Sequence, residues 1–194
     1  MTDLFTVSEL ASYLQRDLDT SSATLAKDSG QAIVRGYCRQ DISSATYTGV
    51  KLRCVPDKAY WRVDLPQRPV TAVSSVAVNG TAYVLGTNYA WDGLSPYIRL
   101  SDLTYSTAAF QDSPVATVTY TAGYATIPAE VKAVALAVAG RQYDNPRGLR
   151  SESIDDYSGT HAGSDADLAG TSLLPPERAI LDRYRITAGS VVPR

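Results

Sequence analysis

Few side chains in this 194-residue sequence have a type and spacing suited to chemistry. His161 is the single histidine, set among Gly, Ser and Thr in a polar run. A catalytic imidazole needs a positioned partner, and a metal site needs several ligands. Neither pattern surrounds His161, so it reads as an exposed loop histidine. Asp155-Asp156 is an adjacent carboxylate pair in the same run. Glycosidase and metal chemistry need carboxylates converging from a rigid scaffold, which favours solvated charge here. Glu152, Asp165 and Asp167 suit at most weak binding of a hard cation, because their spacing is not that of an EF-hand loop. Cys38 and Cys54 are too few for a disulfide framework and match no zinc pattern; they read as small buried hydrophobes. No GxSxG, HExxH, Walker A or GxGxxG pattern occurs. The expectation is no catalytic residue, no cofactor, no metal and no enzymatic activity.

Composition narrows the class further. The chain is 44% hydrophobic and 20% charged, ordinary for a globular protein with one good core or two small ones. No segment has the unbroken apolar length of a membrane span, and "MTDLFTVSEL" lacks the features of a signal peptide. These features predict a soluble protein acting in a cytoplasm, with no membrane partner. The net charge of −2 and pI of about 5.4 argue against a dedicated nucleic-acid binder. Tyrosine dominates the aromatics, 13 against 2 Phe and 2 Trp, which suits half-buried strands and interfaces alike.

The elements that would position these residues follow from periodicity. Residues 6–18 read as a helix, with Thr6 and Glu9 as a capping box and Leu10, Leu14 and Leu18 on one stripe. A second helix runs from Ser21 or Ser22 to Tyr37, with Ala26, Gly30, Ile33 and Tyr37 on one face. From about Thr46 the texture becomes short β-branched and aromatic runs, read as about six antiparallel strands between residues 46 and 122. Asn79-Gly80 is the strongest hairpin signal, since a type I′ turn needs positive φ at both positions. "IPAEVKAVALAVAGRQYDNP" then reads as a long apolar helix ended by Asn145-Pro146. A last short helix lies in "LPPERAILDRYRI", with a narrow apolar side of Ala179, Ile180, Leu181 and Tyr184.

The fold class predicted is α+β: a helical bundle core with an inserted small antiparallel β domain and an extended C-terminal arm. Its parts are a helical pair (residues 1–45), the β insertion (46–124), the long helix (125–148) and the arm with its final helix (149–194). Between the last two helices lies "NPRGLRSESIDDYSGTHAGSDADLAGTS", far longer than a usual connection.

The region "VTYTAGYATIPAEVKAVALAVAGRQYDNPRGLRSESIDDYS" resembles the head–tail connector (adaptor) proteins of long-tailed bacteriophages, which sit below the portal. The resemblance rests on the "YTAGY" turn, the Ile-Pro helix start, the Ala/Val-rich helix, the Pro-Arg-Gly break and "SESIDDYS". A Gly-rich run and a final helix ending in Arg-Tyr-Arg follow in the same order. It implies a homo-oligomeric ring, usually of twelve copies, in the virion neck and assembled in the host cytoplasm. The portal would lie above it and a second connector, stopper or tail terminator below, with double-stranded DNA passing through without specific binding. It also implies an arm that engages the portal or neighbouring subunits, through Arg150, Ser151, Ile154, Asp156 and Tyr157 and then Arg178, Ile180, Leu181, Arg183, Tyr184 and Arg185. Residues 151–158 are strand-competent and suited to joining a neighbouring sheet, with Ile154 and Tyr157 setting register. Ile180, Leu181 and Tyr184 would anchor the last helix, and Arg178, Arg183 and Arg185 would bond acidic groups of a partner. The rival reading is a binding module, with Trp61, Trp91, Tyr83, Tyr89 and Tyr97 recognising a glycan or another protein.

Overall fold

A computed structural model of the chain describes residues 2–57, 60–101, 114–146, 151–154, 157–160 and 173–186. It is α+β, and its helices and its two larger sheets belong to two separate units. The helical unit comprises Asp3–Arg39 and Ile127–Ile186, and the β unit is built mainly from Gln40–Thr126.

Helix α1 (Val7–Leu14) begins at the predicted capping box: the Glu9 N–H donates to Thr6 Oγ1 at 3.2 Å, and the Thr6 N–H donates to the Glu9 carboxylate at 2.8 Å. It is shorter than its apolar stripe suggested. Gln15 turns left-handed (φ 53°) and closes the helix, leaving Leu18 beyond it. Helix α2 (Thr20–Cys38) starts earlier than expected because Asp19, not a serine, is the cap: its carboxylate accepts the Ser22 N–H at 2.8 Å and the Ser21 hydroxyl at 2.6 Å. These bonds hold the Asp19 carboxyl down at about 2. A depressed carboxyl stabilises the fold above its ordinary value of 3.8, and that contribution is lost as pH falls from there towards 2. Asp19→Asn keeps an acceptor for Ser22 but cannot titrate. Thermal melts between pH 5 and pH 2 should therefore show a shallower acid decline in Asp19→Asn than in the natural chain.

The buried seam of α2 is Ala23, Ala26, Gly30, Gln31, Val34 and Cys38, rotated from the predicted face, so Ile33 and Tyr37 are only half-buried. Gln31 belongs to the interior because its Oε1 accepts the Leu4 N–H at 2.7 Å. Helix α3 (Ala129–Asp144) packs on both α1 and α2, burying Val131, Val134, Ala135, Val138 and Ala139. At the α2–α3 crossing a Cβ on Gly30 would stand 2.9 Å from that of Ala139, so only glycine lets the backbones come this close.

Among the described residues the β unit has eight strands in two antiparallel sheets, two strands more than the texture predicted. One sheet has the order β1 (Ala45–Arg53), β8 (Val115–Ala122), β4 (Val70–Val78), β5 (Thr81–Tyr83). The other has the order β2 (Val55–Asp57), β3 (Tyr60–Asp64), β7 (Tyr97–Leu100), β6 (Tyr89–Ala90). The unforeseen strands, β2 and β6, are three- and two-residue edges whose sequences carry no alternation to read. Asn79 and Gly80 make the β4–β5 turn with φ of 50° and 87°. The two sheets share one core around Trp61, Val63, Ile98, Leu100, Val118 and Tyr120. Tyr120 stacks on Tyr47 with centroids 5.3 Å apart, and burial pushes its hydroxyl up to about 12. Cys38 and Cys54 are free and buried, as small hydrophobes are, and burial raises each thiol to about 11.

Candidate interaction surfaces

The segment expected to be a single strand is a hairpin. Strand β9 (Ser151–Ile154) pairs antiparallel with β10 (Tyr157–Thr160), matching Ile154 with Tyr157 and Ser151 with Thr160. The two strands thus pair with each other, and their register is set within the chain instead of by a partner's sheet. Among the described residues this hairpin forms a sheet of its own, so the outer backbone edges of both strands carry no further strand. Arg150 and Asp156 lie outside the described residues, as does His161.

The last helix, α4 (Pro175–Leu181), followed by a 3-10 turn at Asp182–Tyr184, docks on the chain's own α2 and α3. Glu177 is buried and receives both terminal nitrogens of Arg141 at 2.7 Å each, while its Oε2 accepts the Leu174 N–H at 2.9 Å. A two-pronged guanidinium–carboxylate pair fixes both distance and orientation. Further along, Tyr184 donates its hydroxyl proton to Glu130, and Arg183 reaches the same carboxylate at 3.5 Å. Tyr37 donates to Asp182 at 2.6 Å, which raises the Tyr37 hydroxyl above its usual value. Arg185 lies over the Tyr37 ring at 5.0 Å, and the Ile186 N–H donates to the Cys38 carbonyl at 3.0 Å.

The side chains expected to meet a partner thus have contacts within the chain. Leu181 is fully buried within the chain. Ile180 is half-buried, Arg183 and Tyr184 hold Glu130, and Arg185 holds Tyr37; Arg178 is half-buried on the same helix. A seven-residue helix is marginal alone, and here its own helical unit supplies the docking surface.

The aromatic set proposed for ligand recognition is mostly interior. Trp61 and Tyr89 are core residues, and Tyr83 and Trp91 pack against that core. Tyr97 instead stands on the outer face of the β3–β7 pair, beside Arg62 and Arg99. Arg99 donates to the Tyr97 hydroxyl at 3.0 Å, which lowers the Tyr97 phenol, and it lies over the Tyr60 ring at 5.4 Å. Among the described residues no group of three or more His, Cys, Asp or Glu could hold a metal ion.

Sequence reasoning missed the largest exposed apolar side chains. Leu94 is 91% exposed, Leu25 is 72% exposed, and Val84 and Leu85 are both more than half exposed. Leu25 rims a groove of about 680 Å³ in the helical unit, between α2 and the end of α3. No periodicity marks these positions, because an exposed leucine is legible only once the surface around it exists.

Over nearly all of its length the chain is similar in fold to chains of a virion neck. It matches a chain of the neck of an empty gene transfer agent particle, computed with C6 symmetry, at TM-score 0.57 and 16% identity. That match covers 95% of this chain and 90% of the other. A chain of the neck of the native gene transfer agent particle, computed with C12 symmetry, matches at TM-score 0.54 and 17% identity, covering 96% and 94%. A chain of the native gene transfer agent virion matches at TM-score 0.51 and 16% identity. At these identities the likeness is one of fold. No protein-family model matches the sequence, and no curated protein matches it.

Proposed function

We propose that this chain is a structural protein of a virion neck: a head-to-tail adaptor that forms a ring of identical copies below the portal. The observation that carries the reading is the near-complete, two-way coverage of the fold match, 95% of this chain and 90% of a neck chain. Both units are therefore included, whereas a shared module would align over only one of them. The order of sequence features that resembles phage adaptors supports the same reading from the sequence side.

In this account twelve copies surround a channel, the portal docks above, and a second connector or tail component docks below. The chain is not an enzyme, and it acts by positioning surfaces. The net charge of −2 suits a ring through which DNA slides, since each added Lys or Arg contact to phosphate would increase its grip. The β9–β10 hairpin offers open backbone edges to a neighbouring sheet, so the portal-facing contact is backbone pairing at Ser151–Thr160. The docked α4 segment belongs to the subunit body.

The test is direct. Mass photometry and negative-stain imaging of the full chain, with and without portal protein, should show self-association that rises with concentration and a ring on the portal. A strict monomer that ignores the portal rejects the reading.

A further inference from the structure

A closed ring of identical subunits needs two different, complementary surfaces on each copy, because the contact is head to tail. The chain carries two such surfaces, one on each unit. We propose that the Leu94 loop of one copy seats in the α2–α3 groove of the next, making the lateral contact of the ring. This inference rests on the ring reading and names the residues that would close it.

The donor surface is a rigid loop following edge strand β6. The Asp92 carboxylate accepts the Leu94 N–H at 3.0 Å, the Ser95 N–H at 2.6 Å and the Ser95 hydroxyl at 2.6 Å. Trp91 Nε1 donates to the Ser95 carbonyl at 2.9 Å and ties the loop to the sheet. Isolated exposed leucines are common and need no explanation. Leu94 differs in standing 91% exposed on a loop whose backbone is already fixed, so its burial would lose little ordering entropy. Val84 and Leu85, which precede β6 in the chain, are exposed as well.

The acceptor surface has matching chemistry. The groove is walled by Leu25, Ala26, Tyr143 and Pro146, with neutral polar side chains between them and, among the described residues, no ionised side chain in its lining. An apolar side chain can therefore enter without stripping water from a charge. Its volume of about 680 Å³ holds more than one side chain, consistent with entry of a loop.

Charge favours the same pairing. Arg99 shares a small recess with Trp91, Asp92 and Ser95, beside the loop, and among the described residues it bonds no carboxylate. Asp28 follows Leu25 by one helical turn. Its carboxylate reaches Lys27 at 3.5 Å, while the same ammonium lies closer to Asp3, at 2.7 Å. A cation beside the loop and an under-paired anion beside the groove would meet across the contact and set its direction.

The experiment uses two full-length variants: Leu94→Asp, which spoils the loop, and Leu25→Asp, which spoils the groove. Both positions are exposed, so both variants should keep the natural chain's circular dichroism and melting temperature. Under conditions where the natural chain forms rings, with portal protein if rings require it, each variant alone should form none. An equimolar mixture should form dimers and stop there, because one intact loop meets one intact groove and the other pair is spoiled. A mixture that stays monomeric, or either variant forming normal rings, overturns the proposal. A second measurement uses Leu94→Cys/Leu25→Cys with a short bis-maleimide; Cys38 and Cys54 are buried and leave the background clean. Assembled rings of this double variant should give a covalent ladder on denaturing gels, and rings without a ladder overturn the contact. A natural chain that forms no ring with or without portal protein rejects the ring reading itself, a result distinct from the others.

Discussion

Gly123→Ala is expected to cost the β unit at least about 4 kcal/mol, at the top of the range for single substitutions. Gly123 has φ of +103°, a conformation that L side chains rarely adopt. A Cβ there would stand 2.4 Å from the Ser43 carbonyl oxygen and 2.7 Å from its carbonyl carbon. Those atoms are backbone and cannot rotate aside. They are also fixed by pairing: the Tyr124 N–H donates to the Ile42 carbonyl at 2.8 Å, and the Ser44 N–H donates to the Tyr124 carbonyl at 3.0 Å. On the other side the Gly123 N–H donates to the Pro69 carbonyl at 2.9 Å. The turn is thus held between two chain segments, and a methyl group must break at least one of them. Urea titration followed by near-ultraviolet circular dichroism of the stacked Tyr47 and Tyr120 would measure the loss. Gly36→Ala is the control: it lies within α2, nothing stands within 4 Å of its added Cβ, and it should stabilise by about 0.5–1 kcal/mol. Equal stability of Gly123→Ala and the natural chain would remove this account of the "YTAGY" turn.

That turn shows what was legible in the sequence. "YTAGY" could be recognised as a pattern, but its reason, a left-handed residue clasped by Ser43 and Pro69, joins positions 54 to 80 residues apart and needs the fold. Local signals were read well. The Thr6–Glu9 capping box, the Asn79-Gly80 turn, the Asn145 stop of α3 and the Pro175-Pro176 start of α4 are all set within four or five residues. Helix ends that depend on one backbone angle, such as Gln15, were not. The seam of α2 was misplaced because Gln31 is polar by type and interior by its bond to the Leu4 amide.

The candidate surfaces were less legible for a physical reason. Residues 151–158 alternate as a strand should, yet alternation cannot say whether the partner strand belongs to another molecule or follows two residues later. The structure places that partner at Tyr157–Thr160. The narrow apolar side of the last helix likewise announces burial without naming what buries it. Leu181 satisfies that requirement inside its own subunit, and the long-range partners, Arg141 and Glu130 on α3 and Tyr37 on α2, carried no mark in the sequence.

Glu177→Ala tests that assignment with the second-largest expected effect. Removing the carboxylate leaves the Arg141 guanidinium, whose side chain is 24% exposed, without its two-pronged partner, and it also removes the acceptor of the Leu174 N–H. Loss of one member of a largely buried pair costs about 3 kcal/mol, chiefly through the charge left behind. The Tyr184–Glu130 and Tyr37–Asp182 contacts at the far end are untouched, so opening should begin at Leu173 and run towards Leu181. Hydrogen exchange should show the Arg178 amide, bonded to the Leu174 carbonyl, losing about a hundredfold in protection. The Ile186 amide, bonded to Cys38, should lose much less. Glu177→Gln keeps the acceptor for Leu174 and loses only the charge, so its loss should fall between the two. Portal binding by the same variants separates body from arm. If α4 is part of the subunit body, loosening it should weaken assembly in proportion to the protection lost. If α4 must leave the body to engage a partner, Glu177→Ala should assemble more readily than the natural chain, because the intramolecular contact that competes with the partner has been removed.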